Sequence, residues 1–339
     1  GGPTLSSLGL RPIPGAMDAR PSRTRLALGL AAGLAGAAAF ALLLRRSRRR
    51  LRIARLTVFP VKGCKGIDVR SVRLTPEGLE HDREFVIVAP QVDSWRFVSQ
   101  REAPRLARVQ PSMPSAEGGL EVTAPGVPKL SVSPPGAGAA RRALEIWGDA
   151  AEGIDCGDAA ADWFSEFLGT PGVRLLRHVG VRRIDENFAK GATMFADGFP
   201  VLLTTEASLA NVERSTGLGL SQLRFRPNIV LAGAGEFVED AVKGVRCGLG
   251  ASASALRFVK PCARCQVPAV DPVKGERGED PIRELKRYRT GRALMGKETA
   301  HAGHFQKHMG EVFFGQNAVP VLAAGTQASL AVGDPAEWM

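Results

Sequence analysis

The sequence predicts a β-rich α+β fold, barrel-like in its body and preceded by a single transmembrane helix. Three observations carry this: short runs of β-branched and aromatic residues broken by Gly, Pro and Asp, only three stretches with helical apolar spacing, and one uncharged run of nineteen residues near the start. With 339 residues, 44% of them apolar, the chain can build one large or two ordinary domains around a packed core. Helices do not alternate regularly with strands, as a doubly wound sheet requires.

Residues 1–25 form an N-terminal tail. The run over 26–44, LALGLAAGLAGAAAFALLL, would reach about 28 Å as a helix, close to the hydrocarbon thickness of a bilayer. It meets RRSRRR at 45–50 rather than a small-residue cleavage site, which predicts an uncleaved signal anchor over 26–44 and a basic linker over 45–52. Arginines on that side outnumber Arg20, Arg23 and Arg25 on the other, so the body is expected to face the cytoplasm. A mitochondrial presequence, Arg-rich and acid-poor, is the competing reading, and Met17 would make a natural start. The net charge of +11 would ordinarily suggest nucleic acid as a partner, but residues 1–55 hold eleven arginines and one acid, Asp18. The remaining 284 residues carry only +1, which argues against a basic nucleic-acid groove on the body.

Residues 53–175 are expected to form a β-rich N-terminal region and residues 176–339 a second domain. IARLTVF, VRSVRL, EFVIV and SWRFV read as strands, and a Pro/Gly/Ala stretch at 111–140 encloses the hairpin-like runs LEVTA and KLSVS. A helix follows, with Asp158 as cap, Ala160, Trp163, Phe164, Phe167 and Leu168 at helical spacing, and Gly169 as stop. A second helix starts near Thr205 and ends at Gly217; a third has Asp280 as cap, Pro281 at its first position, and runs toward Tyr288. PNIVLAG, ASALRFV and a final stretch ending LAVGDP return to strand.

The five cysteines, at 64, 156, 247, 262 and 265, are odd in number and too scattered for a disulfide framework, which points to a reducing compartment. Cys262 and Cys265 share the segment PCARCQVPAVDP. A zinc half-site would need a second pair of soft ligands, and a thioredoxin-type pair should open a helix, whereas this one follows a strand and precedes Pro268 and Pro272. Two readings stay open: a pair of buried structural thiols, or one reactive thiolate beside the base Arg264. Three motifs place cations beside apolar runs: PVKGCKG with Lys62, HDREFV with Arg83, and FRPNIV, whose Arg226 and Asn228 share a face if the segment is a strand. Salt bridging and anion binding both account for such cations. The last motif is FFGQN at 313–317.

In their order, PVK-CKG, DREFV, the aspartate-containing stretch before TEASL, FRPNIV, the Cys-Arg-Cys segment with VDP, FGQN and VGDP resemble the MOSC-domain family, and within it the mitochondrial amidoxime-reducing component proteins, from about residue 51 to the end. The resemblance implies a MOSC N-terminal β-rich region followed by a MOSC domain, and a molybdenum–molybdopterin cofactor whose metal is ligated by Cys265, the catalytic residue. Ala263 and Arg264 would line the site beside it. Lys62, Gly63, Arg83, Arg226 and Asn228 would hold the pterin and its phosphate, Asp197, Gly198 and Phe199 would form a cofactor-contacting loop, and Asn317 would make the last contact. A soft, strongly donating thiolate suits the metal, and neighbouring cations would help keep it deprotonated. Animal members commonly carry Ser at the positions of Gly63 and Ala263 and Tyr at that of Asn317, so side-chain hydrogen bonds there are lost or replaced by backbone contacts. Cys262 is expected to pack behind the ligand.

The implied activity is reduction of N-hydroxylated compounds, namely amidoximes, hydroxylamines and N-oxides, with the protein supplying orientation and charge. The chain has no haem, flavin or nicotinamide motif and no plant-type iron–sulfur run, so electrons would come from separate proteins, by the resemblance cytochrome b5 and NADH-cytochrome b5 reductase. The resemblance also implies the mitochondrial outer membrane, with the body in the cytosol. The alternative is a cofactor carrier or sulfur-handling MOSC module; a sulfurase would need a pyridoxal-phosphate domain, which these residues do not contain. His301, His304 and His308 fall outside every motif: on a helix they would share a face and could bind a metal, but no cysteine or carboxylate pair completes a site, so a solvated insert is expected.

Overall fold

Two β assemblies carry the body. In the computed structural model, which describes Gly1 and residues 51–219, 222–249, 253–297, 299–322 and 328–339, the first is a closed five-stranded barrel. Its strands run in the order Arg141–Ile146, Asp149–Asp155, Arg174–Val179, Phe85–Gln91 and Ser94–Phe97, and it closes where Trp95 and Arg96 pair in parallel with Leu144 and Glu145. The unbroken apolar run EFVIV has a physical reason: its strand is buried on both faces. Val86 and Val88 pack with Leu144, Ile146, Leu176 and Phe195, whereas Phe85 and Ile87 pack with Leu175 and with Trp163, Phe164 and Phe167 of the helix Asp158–Leu168.

The second assembly is an eight-stranded sheet: Ile67–Val69, Arg52–Val58, Ile229–Ala232, Val201–Thr205, Phe313–Val321, Ser254–Ala263, Gly244–Cys247 and Ala336–Trp338. Neighbours are antiparallel except Val201–Thr205 and Ile229–Ala232, and the helix Glu206–Thr216 lies on the crossover that this parallel pair requires. The division expected at 175/176 falls inside the barrel strand Arg174–Val179, and the first strand, Arg52–Val58, pairs with Ile229–Ala232 of the C-terminal half. Apolar patterning marks a strand's buried faces without saying which sheet it joins.

The helices begin and end close to their sequence signals. Thr205 accepts the Ser208 N–H at 3.1 Å and Gly217 ends that helix in left-handed backbone; Asp280 accepts the Ile282 N–H at 2.9 Å. The third helix stops at Leu285, and the chain reaches Tyr288 through tighter i,i+3 turns. Asp158 is the first helical residue rather than the cap; Gly157, with φ +94°, caps, and Asp158 pairs with Arg174 at 2.8 Å. His301, His304 and His308 flank and occupy the short helix Ala302–Lys307, where they are partly packed rather than solvated. The His304 ring lies tilted against His308 at 4.4 Å and meets Phe188 and Phe313 edge-on, and burial, then His308, holds its pKa down at about 4. No group of three metal-ligating side chains occurs among the described residues. The expected anchor over 26–44 lies outside the described residues; among those described, no helix is long and apolar enough to cross a membrane.

Candidate functional site

Residues from the barrel and the sheet line one cleft, with about 890 Å³ of free space when its open mouth is included. Every site residue singled out from the sequence lines it except Ala263, which is exposed at the end of its strand; the alternation of strand side chains turns Cys262 toward the cleft instead. Five cations, Lys62, Arg83, Arg101, Arg226 and Arg264, and a single carboxylate, Asp197, line the walls. On a body whose net charge is almost nil, that concentration makes the cleft anion-accepting.

The PVKGCKG segment leaves the first strand and is tied to the barrel by the Lys62 N–H to the Phe85 carbonyl, at 2.7 Å. Lys62 is buried, and its Nζ donates to the Phe195 carbonyl at 2.8 Å and to Asp197 Oδ1 at 2.5 Å. Burial pulls its pKa below the ordinary lysine value, and Asp197 works against that pull. Asp197 keeps 69% of its side-chain surface open to the cleft. Desolvation by the walls pushes its pKa up, but Lys62, the Trp147 indole N–H at 2.9 Å and Arg83 outweigh it and hold the carboxylate well below its usual range. Gly63 takes φ +84°, and its carbonyl accepts the buried Gln100 amide at 2.6 Å.

Arg83 and Arg226 form the opposite wall. Arg83 donates to Asp82, to Asn228 Oδ1 at 3.1 Å and to the Arg226 carbonyl at 3.4 Å; Arg226 Nη1 donates to the Cys64 carbonyl at 2.7 Å. Arg226 does not sit on a strand. It takes φ +57°, and the strand begins at Ile229, after Pro227, which has no ladder donor to give. Arg226 and Asn228 therefore do not share a strand face. Asn228 is itself buried and its amide is engaged internally, with Oδ1 accepting from Leu202 N and Arg83 and Nδ2 donating to the Thr57 carbonyl. It positions Arg83 and the neighbouring strands. Cys64 is buried beneath, its thiol pushed up to about 12 by desolvation, which makes it unreactive.

Cys265 lies just past the end of the strand Ser254–Ala263 and is the one exposed thiol among the five. No hydrogen bond or ion pair reaches its sulfur from the described residues: the Arg264 guanidinium donates to Cys262 Sγ at 3.1 Å and to the Phe225 carbonyl at 3.0 Å, not to Cys265. Cys262 thus holds Arg264 in place. Arg264 Nε, though buried, has no partner among the described residues, and Asn317 lies on the cleft wall. The Arg264 N–H is available to a ligand.

Sequence reasoning missed Phe97, Gln100, Arg101 and Trp147, which the barrel contributes to the lining, and Arg182 behind it. Arg182 is a buried cation that donates to the carbonyls of Ala196 and Asp197 and to Asp149, joining the Asp197 loop to the barrel hairpin. The one available signal was the Trp147-Gly148 pair, a hairpin turn with a large aromatic at its tip.

A family model described as MOSC N-terminal beta barrel domain matches residues 50–171, and one described as MOSC domain matches residues 190–337. The chain is 31% identical over 293 residues to mitochondrial amidoxime-reducing component 1 of Mus musculus, covering 80% of this chain and 83% of that protein. Against mitochondrial amidoxime-reducing component 1 of Homo sapiens the identity is 30% over 300 residues, covering 82% and 87%. Against molybdenum cofactor sulfurase of Danio rerio it is 26% over 303 residues, covering 81% of this chain and 35% of that protein.

Proposed function

The chain belongs to the MOSC family, and on that premise we propose that it is a molybdenum-cofactor-dependent reductase of N-hydroxylated compounds, fed electrons by separate proteins. The observation that carries this reading is the exposed thiol of Cys265 opening on the same cleft as Lys62, Arg83 and Arg226. The donor set fits an anionic pterin ligand. Cations dominate the walls, a buried Arg264 N–H lacks a partner among the described residues, and a soft thiolate suits molybdenum.

When bound, the cofactor supplies two-electron chemistry on oxygen. In the net reaction the N–O bond breaks and the oxygen leaves as water, taking up two electrons and two protons. The chain's own part is placement. Cys265 ligates the metal, Lys62 offers a point charge, and the planar forks of Arg83 and Arg226 offer paired donors to phosphate. Asp197 orients the Lys62 ammonium, and Asn228 holds Arg83 at the wall. The reading includes the mitochondrial outer membrane, an anchor over 26–44, a body facing the cytosol, and cytochrome b5 with its NADH-dependent reductase as donors. The names of the amidoxime-reducing relatives support the mitochondrial part.

The similarity to sulfurase supports a second reading, a cofactor carrier or sulfur-handling module. Metal analysis of the purified protein beside Cys265→Ala, with a benzamidoxime reduction assay under supplied donors, separates the two. A reductase holds about one molybdenum per chain and turns over, and the variant folds but loses both metal and activity. Bound cofactor without turnover points to the carrier, and unchanged turnover in Cys265→Ala removes the ligand assignment.

A further inference from the structure

We propose that Trp147 and Arg101 form a subsite at the cleft mouth that selects flat, uncharged aryl substrates; the N-hydroxylated part of that substrate class rests on the reductase reading above.

Trp147 occupies the tip of the barrel hairpin between Arg141–Ile146 and Asp149–Asp155. It takes φ +56°, a conformation that L side chains rarely adopt, and Gly148 follows at φ +91°. Asn or Asp would satisfy such a turn more readily, so the position of a bulky indole here calls for a reason beyond the turn itself. The ring is fixed from three directions: its N–H donates to Asp197 Oδ1 at 2.9 Å, the Arg101 guanidinium carbon stands 4.1 Å from its centre, and Phe97 meets it edge-on at 5.1 Å. Even so, 53% of Trp147 remains exposed, beside the cleft rather than on an outer face. A rigid, wet aromatic surface of this kind suits stacking against a planar ligand.

A second cavity, with about 1150 Å³ of free space when its open mouth is included and lined by the strands Ser94–Phe97 and Arg141–Ile146, adjoins the first; Phe97, Ser99, Arg101 and Trp147 line both. The indole and guanidinium are therefore the partition between the cofactor cleft and room for the rest of a substrate. Arg101 makes no ion pair with a carboxylate among the described residues; of the acids that share the second cavity with it, Glu102 is held by Arg96, and Asp93 and Glu145 line the same space. An aryl amidoxime is neutral near pH 7, whereas the amidine left after reduction is a cation. Arg101 tolerates the first and repels the second, which couples aromatic selection to product release.

The test uses the full-length protein and two substitutions at one position, Trp147→Leu and Trp147→Phe. Both delete the hydrogen bond to Asp197; only the first deletes the aromatic face. Binding of benzamidoxime, acetamidoxime and benzamidine is measured by calorimetry, and kcat/KM for the two amidoximes in parallel. The subsite predicts that Trp147→Leu weakens benzamidoxime binding at least tenfold and lowers its kcat/KM at least tenfold more than that of acetamidoxime, with Trp147→Phe restoring most of both. Arg101→Glu should make benzamidine bind at least as tightly as benzamidoxime. Equal losses with both amidoximes, or no rescue by Phe, would mean that Trp147 acts only by holding Asp197, and overturn the proposal. If neither amidoxime is turned over yet the binding pattern holds, the reductase reading fails and the aryl subsite stands.

Discussion

Arg83 and Arg226, 143 positions apart, hold their guanidinium carbons 4.3 and 4.2 Å from the centre of one ring, that of Phe59. Two like charges this close repel, and both residues also sit in left-handed backbone, at φ +53° and +57°. Burial and the Arg83 charge together push Arg226 down to about 10. The arrangement persists because the Phe59 face, the buried carboxylate of Asp82 and the Cys64 carbonyl over-determine it. An anion in the cleft would relieve the repulsion, which is how a strained pair of cations becomes a binding wall.

Phe59→Leu should then do two things at once. The ring is fully buried, and losing its volume and both cation–π contacts should cost about 2 kcal/mol in urea unfolding. The arginines, left without their platform, should also release molybdenum cofactor faster on dialysis. A stability loss with metal retention unaltered would reduce Phe59 to core packing.

The two cysteines of the Cys-Ala-Arg-Cys segment should separate cleanly. Cys265 is exposed and its sulfur takes no hydrogen bond from the described residues, so Cys265→Ala should unfold within about 0.5 kcal/mol of wild type while losing its metal. Cys262 accepts from Arg264 at 3.1 Å, so Cys262→Ala should keep the metal and free the Arg264 guanidinium. Metal content and urea midpoints on the two variants check this; loss of molybdenum from Cys262→Ala would mean that both sulfurs serve the metal.

How much of this could be seen in the sequence depends on the range of the forces involved. Local signals held: Thr205, Gly217 and Asp280 bound their helices through contacts a few residues away, and the EFVIV run marked a strand buried on both sides. Four of the cleft's five cations were legible because they stand in motifs; Arg101 stands in none. What stayed hidden is set by distant partners. Trp147 reaches the cleft through Asp197, 50 positions on, and the Asn228 amide is taken up by Thr57, 171 positions back. The left-handed turn at Arg226, set by long-range packing, leaves no mark in apolar periodicity, so a strand face shared with Asn228 stays conditional in the sequence.

Glu239 makes the stability of the sheet's far side depend on pH. It is buried, its Oε1 has no partner among the described residues, and burial, then the neighbouring Asp240, raises its pKa from 4.5 to about 7. The folded state therefore holds this proton more tightly than the unfolded state does; the stabilisation is complete below about 4.5 and is lost as pH rises through 7. Glu239→Gln mimics the protonated form, so by pH 8 it should exceed wild type by something on the order of 3 kcal/mol, relative to any difference at pH 4. Urea unfolding of both proteins across that range measures it, and parallel pH profiles would sink the assignment.

Gly315 links the sheet's register to the cleft. It takes φ +79° within the strand Phe313–Val321, and a Cβ there would stand 3.0 Å from the Leu203 carbonyl oxygen and 3.3 Å from Leu202 Cδ1. A flexible side chain could move aside, but the carbonyl belongs to the paired strand, where Gln316 faces Leu203 and Asn317 faces Leu202. Gly315→Ala must therefore shift the pairing beside the two residues that point to opposite faces: Gln316, bonded to Asp240 at 2.8 Å, and Asn317 on the cleft wall. We expect about 2 kcal/mol of destabilisation, from the left-handed backbone and the close approach together, with reduced cofactor retention. Gly310→Ala, where an added Cβ meets nothing within 4 Å, is the control and should stay within about 0.5 kcal/mol of wild type. If the two variants unfold alike in urea, the strand does not need glycine at 315, and Asn317 owes its place on the wall to something other than this pairing.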